Sequence, residues 1–207
     1  MRTLDKSLPL LLKRISEKYP NIRAQMFKGE DKEFKSLSYK ELYETALDFA
    51  AGLLSIGARP KDHIGLIADN RKEWLHASFG IMNIGAADVP RGCDATEQEI
   101  THILSFAECK FAVLENEAQI RKVLTHLAEI PMLESIISID NADFQKLEED
   151  FNLKERKIEF HTYADIIDLG KSARVEGKFK PEEYAENVDT DDLASIIFTS
   201  GTTGNPK

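Results

Sequence analysis

The sequence is poor in the residues that mark disulfide-rich, zinc-binding and membrane-spanning proteins. Its 207 residues include two cysteines, Cys93 and Cys109, with no Cys-x-x-Cys pair and no histidine cluster near either. This spacing indicates neither a zinc site nor a disulfide framework. No apolar run approaches the roughly 20 residues of a membrane span, and the apolar cluster at 8–12 is too short for a signal peptide. We therefore expect a cytoplasmic protein, with peripheral membrane contact left open.

Positive charge is also in deficit. The chain has 27 Lys and Arg against 36 Asp and Glu, which gives a formal net charge of −9 and a pI near 5.1. A protein of this charge has no general attraction for nucleic acid or for an anionic membrane, so we expect no nucleic-acid partner. A polyanionic ligand would have to be held by a local site. The apolar content of 42% is ordinary for a globular core.

Two kinds of catalytic site lack support in the sequence. No Gly-x-Ser-x-Gly elbow is present, so nothing indicates a Ser-His-Asp hydrolase. The histidines show no metal-ligand spacing and fall on five different predicted elements: His63, His76, His102, His126 and His161. We predict no general acid, general base or nucleophile in this chain, and therefore no catalytic residue.

The first third of the chain carries local signals for helices and a hairpin. Apolar residues at helical spacing predict a helix from Ser7 to Lys18. Residues 22–27 and 34–37 flank a polar turn, as in a hairpin with a longer loop. Ser38-Tyr39-Lys40-Glu41 is a capping box, and Thr96-Glu97-Gln98-Glu99 is a second one, so we predict that a helix begins at each.

Strands and helices then alternate. Short apolar runs at 63–68, 84–90, 110–114 and 135–139 predict strands with helices between them. This order predicts an α/β fold with a mainly parallel sheet that has helices on both faces. We interpret residues 141–186 as charged and irregular, with a short helix at 161–169.

Asp69 and Asn70 follow the first of these strands and allow two interpretations. Open parallel sheets bind ligands at the carboxyl ends of their strands, so the pair could contact a ligand. Such a pair more commonly caps the next helix, and we predict capping here. Arg91 and Asp94, after the next strand, are predicted to form a surface ion pair.

The last nine residues have the composition of a phosphate-holding loop. They follow Leu193–Phe198, which we predict to be a buried strand. Gly201 and Gly204 would let the backbone approach an anion closely, and Lys207 adds an ammonium group. Hydroxyl donors come from four further residues: Thr199, Ser200, Thr202 and Thr203. Pro206 separates the second glycine from the lysine, so the loop is not a Walker motif; the alternative is a flexible Ser/Thr/Gly-rich linker.

The spelling TSGTTGNPK resembles the phosphate loop of the adenylate-forming enzymes, the superfamily of acyl-CoA synthetases, luciferases and peptide-synthetase adenylation domains. Residues 69–74 resemble the corresponding segment of that family, and residues 88–111 look most like its bacterial long-chain fatty acyl-CoA synthetase branch. The resemblance implies that residues 1–207 are the incomplete N-terminal AMP-binding domain of a larger protein. The family's mobile C-terminal domain would then lie outside this chain.

The resemblance also implies a function: ATP-dependent activation of a long-chain fatty acid to acyl-adenylate and then to acyl-CoA, with Mg²⁺ and with CoA as cosubstrate. The phosphates would be bound by Thr199, Ser200, Gly201, Thr202, Thr203, Gly204 and Lys207, and the Thr199 hydroxyl would approach the magnesium ion. The alternatives are a non-catalytic scaffold and a nucleotide-binding module of another adenylating class. We expect the 207-residue chain alone to be inactive; its oligomeric state is not predicted.

Overall fold

The computed structural model describes residues 6–29, 31–153 and 157–199. The chain forms two compact units, and each draws on three separate segments, so no single position divides them. The first unit comprises Met1–Lys61, Asn70–Ala86 and Ile167–Ala194, and the second comprises Asp62–Asp69, Ala87–Ile166 and Ser195–Lys207.

The first unit consists of a hairpin and helices. Its elements are α1 (Leu8–Lys18), β1 (Arg23–Lys28), β2 (Phe34–Ser38), α2 (Tyr39–Ser55), α3 (Lys72–Asn83), the part of α7 (Tyr163–Val175) from Ile167 onward, and α8 (Pro181–Glu186). β1 and β2 pair antiparallel, which confirms the predicted hairpin. The Ser38 side chain accepts a hydrogen bond from the Glu41 amide, and the Glu41 side chain accepts one from the Ser38 amide. The first capping box is thereby confirmed.

Close helix packing organises this unit. Its core cluster includes Leu12, Leu42 and Leu47. A Cβ on Gly80 of α3 would lie 2.7 Å from the Phe49 ring of α2, so only a glycine lets these helices approach so closely. Arg174 bonds the Asp48 and Glu44 carboxylates and thereby ties α7 to α2.

The second unit is built on a five-stranded parallel sheet flanked by helices. Its strands are β3 (His63–Ile67), β4 (Ala87–Arg91), β5 (Phe111–Leu114), β6 (Ser135–Ser138) and β7 (Glu159–Thr162), in the order β4-β3-β5-β6-β7. Its helices are α4 (Glu97–Phe106), α5 (Glu117–Thr125), α6 (Phe144–Asp150) and the start of α7, with a short 3-10 turn at Leu127–Glu129. The predicted α/β fold with a parallel sheet is confirmed.

The sheet core shows why these runs form strands. β5 and β6 are buried along their whole length, as expected for strands that are covered on both faces. A Cβ on Gly65 of β3 would collide with the Leu104 side chain of α4, so the glycine lets this helix lie close to the sheet. The second capping box is confirmed as well, with Thr96 accepting the Glu99 amide at the start of α4.

The interpretation of residues 141–186 as irregular is wrong. This stretch contains α6, β7, α7 and α8, and the predicted short helix at 161–169 corresponds to α7, which begins at Tyr163. His161, which we placed in a short helix, lies in β7, where it pairs with Ile137 of β6. β7 was missed because a four-residue strand with a single fully apolar residue, Phe160, carries almost no periodic signal. Among residues 6–29, 31–153 and 157–199, no helix has both the length and the apolar character needed to cross a membrane.

Candidate functional site

The carboxyl ends of the parallel strands form the edge of the second unit where a ligand is expected. From β3 the chain passes to β4 on one side, and then to β5 on the other side of β3. The connections therefore diverge between β3 and β5, and open α/β sheets bind ligands in the crevice at such a point. The residues that follow β3, β4 and β5 lie at this edge.

Asp69, Cys93 and Glu115 meet at this edge. The Cys93 N–H donates to Asp69 Oδ1 over 2.9 Å, and the Asp69 N–H donates to Glu115 Oε2 over 2.8 Å. Their carboxylate oxygens and the thiol sulfur all lie within 4.8 Å of one another. Sequence spacing could not reveal this group, because 46 positions separate Asp69 from Glu115.

The charges of this group decide what it can bind. Burial, followed by the nearby carboxylates of Glu115 and Asp69, raises the pKa of the Cys93 thiol to about 11, so the thiol is protonated at neutral pH. The Lys122 ammonium donates to the carbonyl oxygens of Cys93 (3.0 Å) and Ala95 (2.8 Å). The two carboxylates would repel a phosphate, and a sulfur ligand suits a softer divalent cation better than Mg²⁺.

The prediction that Asp69 and Asn70 cap the next helix is wrong. The N-cap of α3 is Arg71, whose side chain makes no capping hydrogen bond. Instead, the Asp69 carboxylate accepts a hydrogen bond from the Cys93 amide, and this bond holds the backbone that follows β4. The predicted surface ion pair between Arg91 and Asp94 is confirmed, with 3.2 Å between Nη1 and Oδ1.

The lead-in segment, residues 195–198, precedes the predicted phosphate loop and runs beside β4. Ser195 forms a parallel bridge with Asp88, and the Ile196 N–H donates to the Asp88 carbonyl over 2.9 Å. Because this bridge is parallel, the segment runs in the same direction as the sheet strands and its carboxyl end points toward the same edge. Ile196 and Phe198 pack against the core of the second unit.

The prediction of a buried strand at Leu193–Phe198 is wrong. The described residues include no regular strand there, and the Ile197 side chain is 70% exposed. The physical reason is that Asp88 of β4 supplies the only backbone partner that the described part of the chain offers to Ser195 and Ile196. A strand with neighbours on both sides would have the backbone groups along both of its edges hydrogen-bonded.

The phosphate-loop prediction falls largely beyond the described part of the chain. Thr199 is described and is exposed at the end of the segment. The other predicted phosphate-binding residues, Ser200, Gly201, Thr202, Thr203, Gly204 and Lys207, lie outside the described residues. The binding of an anion by this loop therefore stays a prediction.

Sequence comparison assigns the chain to a family. The model of the AMP-binding enzyme family matches residues 12–207, which is nearly the whole chain. The chain belongs to the AMP-binding enzyme family. The resemblance expected from TSGTTGNPK is thereby confirmed.

Curated relatives are similar along most of this chain. A chloroplastic long-chain-fatty-acid–[acyl-carrier-protein] ligase of Arabidopsis thaliana is 30% identical over 205 residues, which is 98% of this chain and 27% of the relative. A long-chain-fatty-acid–CoA ligase of Xenopus laevis is 25% identical over 197 residues, covering 95% of this chain and 25% of the relative. The chain thus spans about a quarter of the length of these relatives.

Solved structures share the fold at lower identity. The adenylation domain of a carboxylate reductase from Mycobacterium chelonae superposes with a TM-score of 0.79 at 20% identity, covering 100% of this chain and 34% of that one. A Mycobacterium tuberculosis fatty acyl CoA synthetase gives a TM-score of 0.68 at 16% identity, covering 96% and 33%. These similarities establish the fold of the chain and nothing further.

Proposed function

We propose that the protein containing this chain activates a long-chain fatty acid with ATP, and that residues Thr199–Lys207 hold the ATP phosphates. The observation that carries the proposal is the position of the TSGTTGNPK sequence in a chain of the AMP-binding enzyme family. It directly follows a segment that runs parallel to β4. The loop would therefore start near the carboxyl ends of the strands, where α/β sheets bind ligands.

The first step would join the fatty acid to AMP. A carboxylate oxygen of the fatty acid attacks the α-phosphorus of ATP, the bond from that phosphorus to the bridging oxygen breaks, and pyrophosphate leaves with the electron pair. The glycines, hydroxyls and Lys207 would stabilise the negative charge that shifts to the pyrophosphate. No described side chain is assigned as an acid or a base, because the attacking carboxylate is already ionised at neutral pH.

The second step would transfer the acyl group to a thiol. The thiolate of CoA attacks the acyl carbon, the bond from that carbon to the AMP oxygen breaks, and AMP leaves. One curated relative is named for an acyl carrier protein and another for CoA. We propose CoA as the acceptor, and an acyl carrier protein is the alternative to be tested beside it.

Mg²⁺ is the metal expected with ATP, and the two candidate ligand sets differ in their fit to it. Thr199 is exposed at the end of the lead-in segment and offers a hydroxyl oxygen, the kind of ligand that Mg²⁺ prefers. The Asp69, Cys93 and Glu115 group includes a protonated thiol and fits Mg²⁺ poorly. Bound Mg²⁺ would neutralise phosphate charge, and Thr199 would help to orient it.

The direct test is ATP–pyrophosphate exchange by the gene product that contains these residues. We expect exchange that requires a long-chain fatty acid, and formation of a thioester when CoA is added. Thioester formation with an acyl carrier protein but not with CoA would change the acceptor and leave the first step intact. A folded gene product without fatty-acid-dependent exchange would refute the proposed function.

Lys207→Ala tests the loop itself. Loss of one charge-assisted phosphate contact costs roughly 1.5–3 kcal/mol, so the exchange rate at limiting ATP should fall about ten- to a hundredfold. Lys157→Ala is the matched control, because this lysine is 88% exposed and the nearest carboxylate oxygen among the described residues, on Glu159, lies 4.0 Å from its Nζ. Equal exchange rates in the two variants, with both folded, would remove Lys207 from the mechanism.

A further inference from the structure

Three rings meet where the chain approaches the predicted phosphate loop. Phe198 is the residue before Thr199, and its ring meets the Phe106 ring edge-on, with centroids 5.8 Å apart and planes at 88°. The His102 ring lies one helical turn before Phe106, and its centroid is 6.1 Å from that of Phe198, with planes at 81°. Perpendicular rings at these distances attract each other, because the positive edge of one faces the negative face of the other.

The exposure of Phe106 makes this contact unusual. Phe106 is the last residue of α4, and it is 72% exposed, so it contributes little to the core. In the aromatic contacts of the described residues, its ring meets only Phe198 and His102. Its contact with Phe198 is therefore the main role that the geometry offers for this ring.

The helix beneath these rings is anchored at more points than the segment they contact. The capping box of Thr96 and Glu99 fixes the start of α4, and Ile103 and Leu104 are fully buried. The lead-in segment, by contrast, is joined to β4 at Asp88, through the bridge of Ser195 and the hydrogen bond from the Ile196 amide. Phe198, two residues later, contacts the rings of α4, so these rings help to set the position of Thr199.

We propose that Phe106 and His102 are positioning residues for the phosphate loop. By holding the Phe198 ring they fix the place and direction in which the chain leaves the sheet edge at Thr199. Neither residue contacts the nucleotide in this account; both act through Phe198. The proposal rests on the proposed function insofar as it concerns ATP, whereas the holding of Phe198 by α4 can be measured independently of any activity.

Phe106→Ala tests the proposal, with Phe34→Ala as its control. Phe34 lies in β2 of the first unit and is 73% exposed, so the two variants remove the same ring from equally exposed positions. Losing one edge-to-face aromatic contact should speed hydrogen–deuterium exchange in residues 196–199 roughly two- to tenfold. The hydrogen–deuterium exchange rates in β6 should not change in either variant. Phe34→Ala should also leave the rates of residues 196–199 unchanged.

The kinetic readout separates positioning from a structural role. In Phe106→Ala we expect the KM for ATP to rise roughly two- to tenfold, with an unchanged KM for the fatty acid. Phe106→Tyr keeps the ring and should restore both the hydrogen–deuterium exchange rate of residues 196–199 and the KM for ATP. Lower kcat with unchanged KM values and a lower unfolding midpoint would indicate a structural role and overturn the proposal.

Failure of this inference can be told apart from failure of the proposed function. If the parent protein shows no fatty-acid-dependent exchange, the proposed function is refuted, and deuterium exchange alone decides whether α4 holds Phe198. If the parent is active and Phe106→Ala matches Phe34→Ala in both measurements, the positioning role is refuted and the proposed function stands. His102→Ala repeats the test from the second ring, and faster exchange in residues 196–199 is the supporting result.

Discussion

The same tripeptide, Ser-Ile-Ile, occurs twice in this chain with two different outcomes. In β6 it is Ser135-Ile136-Ile137, and both isoleucines are fully buried. In the lead-in segment it is Ser195-Ile196-Ile197, where the second isoleucine is 70% exposed. Local β-propensity is identical in the two copies, so the difference must come from their surroundings.

The surroundings differ in the number of neighbouring strands. β6 pairs with β5 on one side and with β7 on the other, so that Ile137 lies between Val113 and His161. The lead-in segment is joined to β4 alone among the described residues, through the bridge of Ser195 to Asp88. A strand gains its burial from pairing and packing partners, and a short apolar run cannot specify them by itself.

This difference suits the role proposed for the lead-in segment. Segments that bind ligands are drawn from the less stable parts of a fold, because they have to adjust when the ligand enters. β6 is a fixed part of the sheet, whereas the lead-in segment is held at Ile196 and at Phe198. We infer that the second copy of the tripeptide connects a rigid sheet to the predicted loop.

The largest effect that we expect from this comparison is on stability. Ile137→Ala removes a fully buried side chain from the sheet and should lower the free energy of unfolding by about 2–5 kcal/mol. Ile197→Ala makes the same chemical change at the exposed copy and should alter it by no more than about 0.5 kcal/mol. Urea denaturation of both variants measures the difference, and equal losses would show that the lead-in segment is as buried as β6.

A smaller effect is expected at the cap of α4, the helix that contacts the lead-in segment. Thr96→Ala removes the hydroxyl that accepts the Glu99 amide and should lower the free energy of unfolding by about 1 kcal/mol. Asn116→Ala, at the cap of α5, is the matched variant on a helix without these rings. Only Thr96→Ala should also speed deuterium exchange at residues 196–199.

The cap contribution should depend on pH in one direction. The backbone and side-chain hydrogen bonds from Thr96 lower the pKa of Glu99 in the folded protein. The unfolded chain therefore binds this proton more readily, so the contribution is present above the unfolded pKa and is lost as the pH falls through the folded pKa. Denaturation of the parent and of Glu99→Gln, which cannot ionise at this position, should show their difference shrinking as the pH falls, and a difference that grew on acidification would contradict this assignment.

Local features of the fold were predictable from the sequence. Both capping boxes, the hairpin and the βα alternation were predicted correctly, because each depends on residues close together in the chain. β7 and the exposed lead-in segment were not, because pairing with distant strands decides them. Asp69 was predicted to cap a helix, and its actual partner, the Cys93 amide, lies 24 positions away.

The candidate site divides in the same way. The phosphate-loop prediction needs nine consecutive residues, so the sequence alone supports it, and the family match is consistent with it. The Asp69, Cys93 and Glu115 group and the rings on α4 come from separate elements, and only the folded chain brings them together. The carboxyl-end rule for parallel sheets would have pointed to the first of these groups, because each of its residues follows a predicted strand.

Gly204→Val tests most directly whether Thr199–Lys207 holds the ATP phosphates. A valine side chain at this position would occupy the space that a phosphate needs against the backbone. Fatty-acid-dependent ATP–pyrophosphate exchange should be abolished in this variant of the gene product, while its unfolding midpoint stays that of the parent. Normal exchange kinetics in a folded Gly204→Val protein would contradict the account and make these residues a linker.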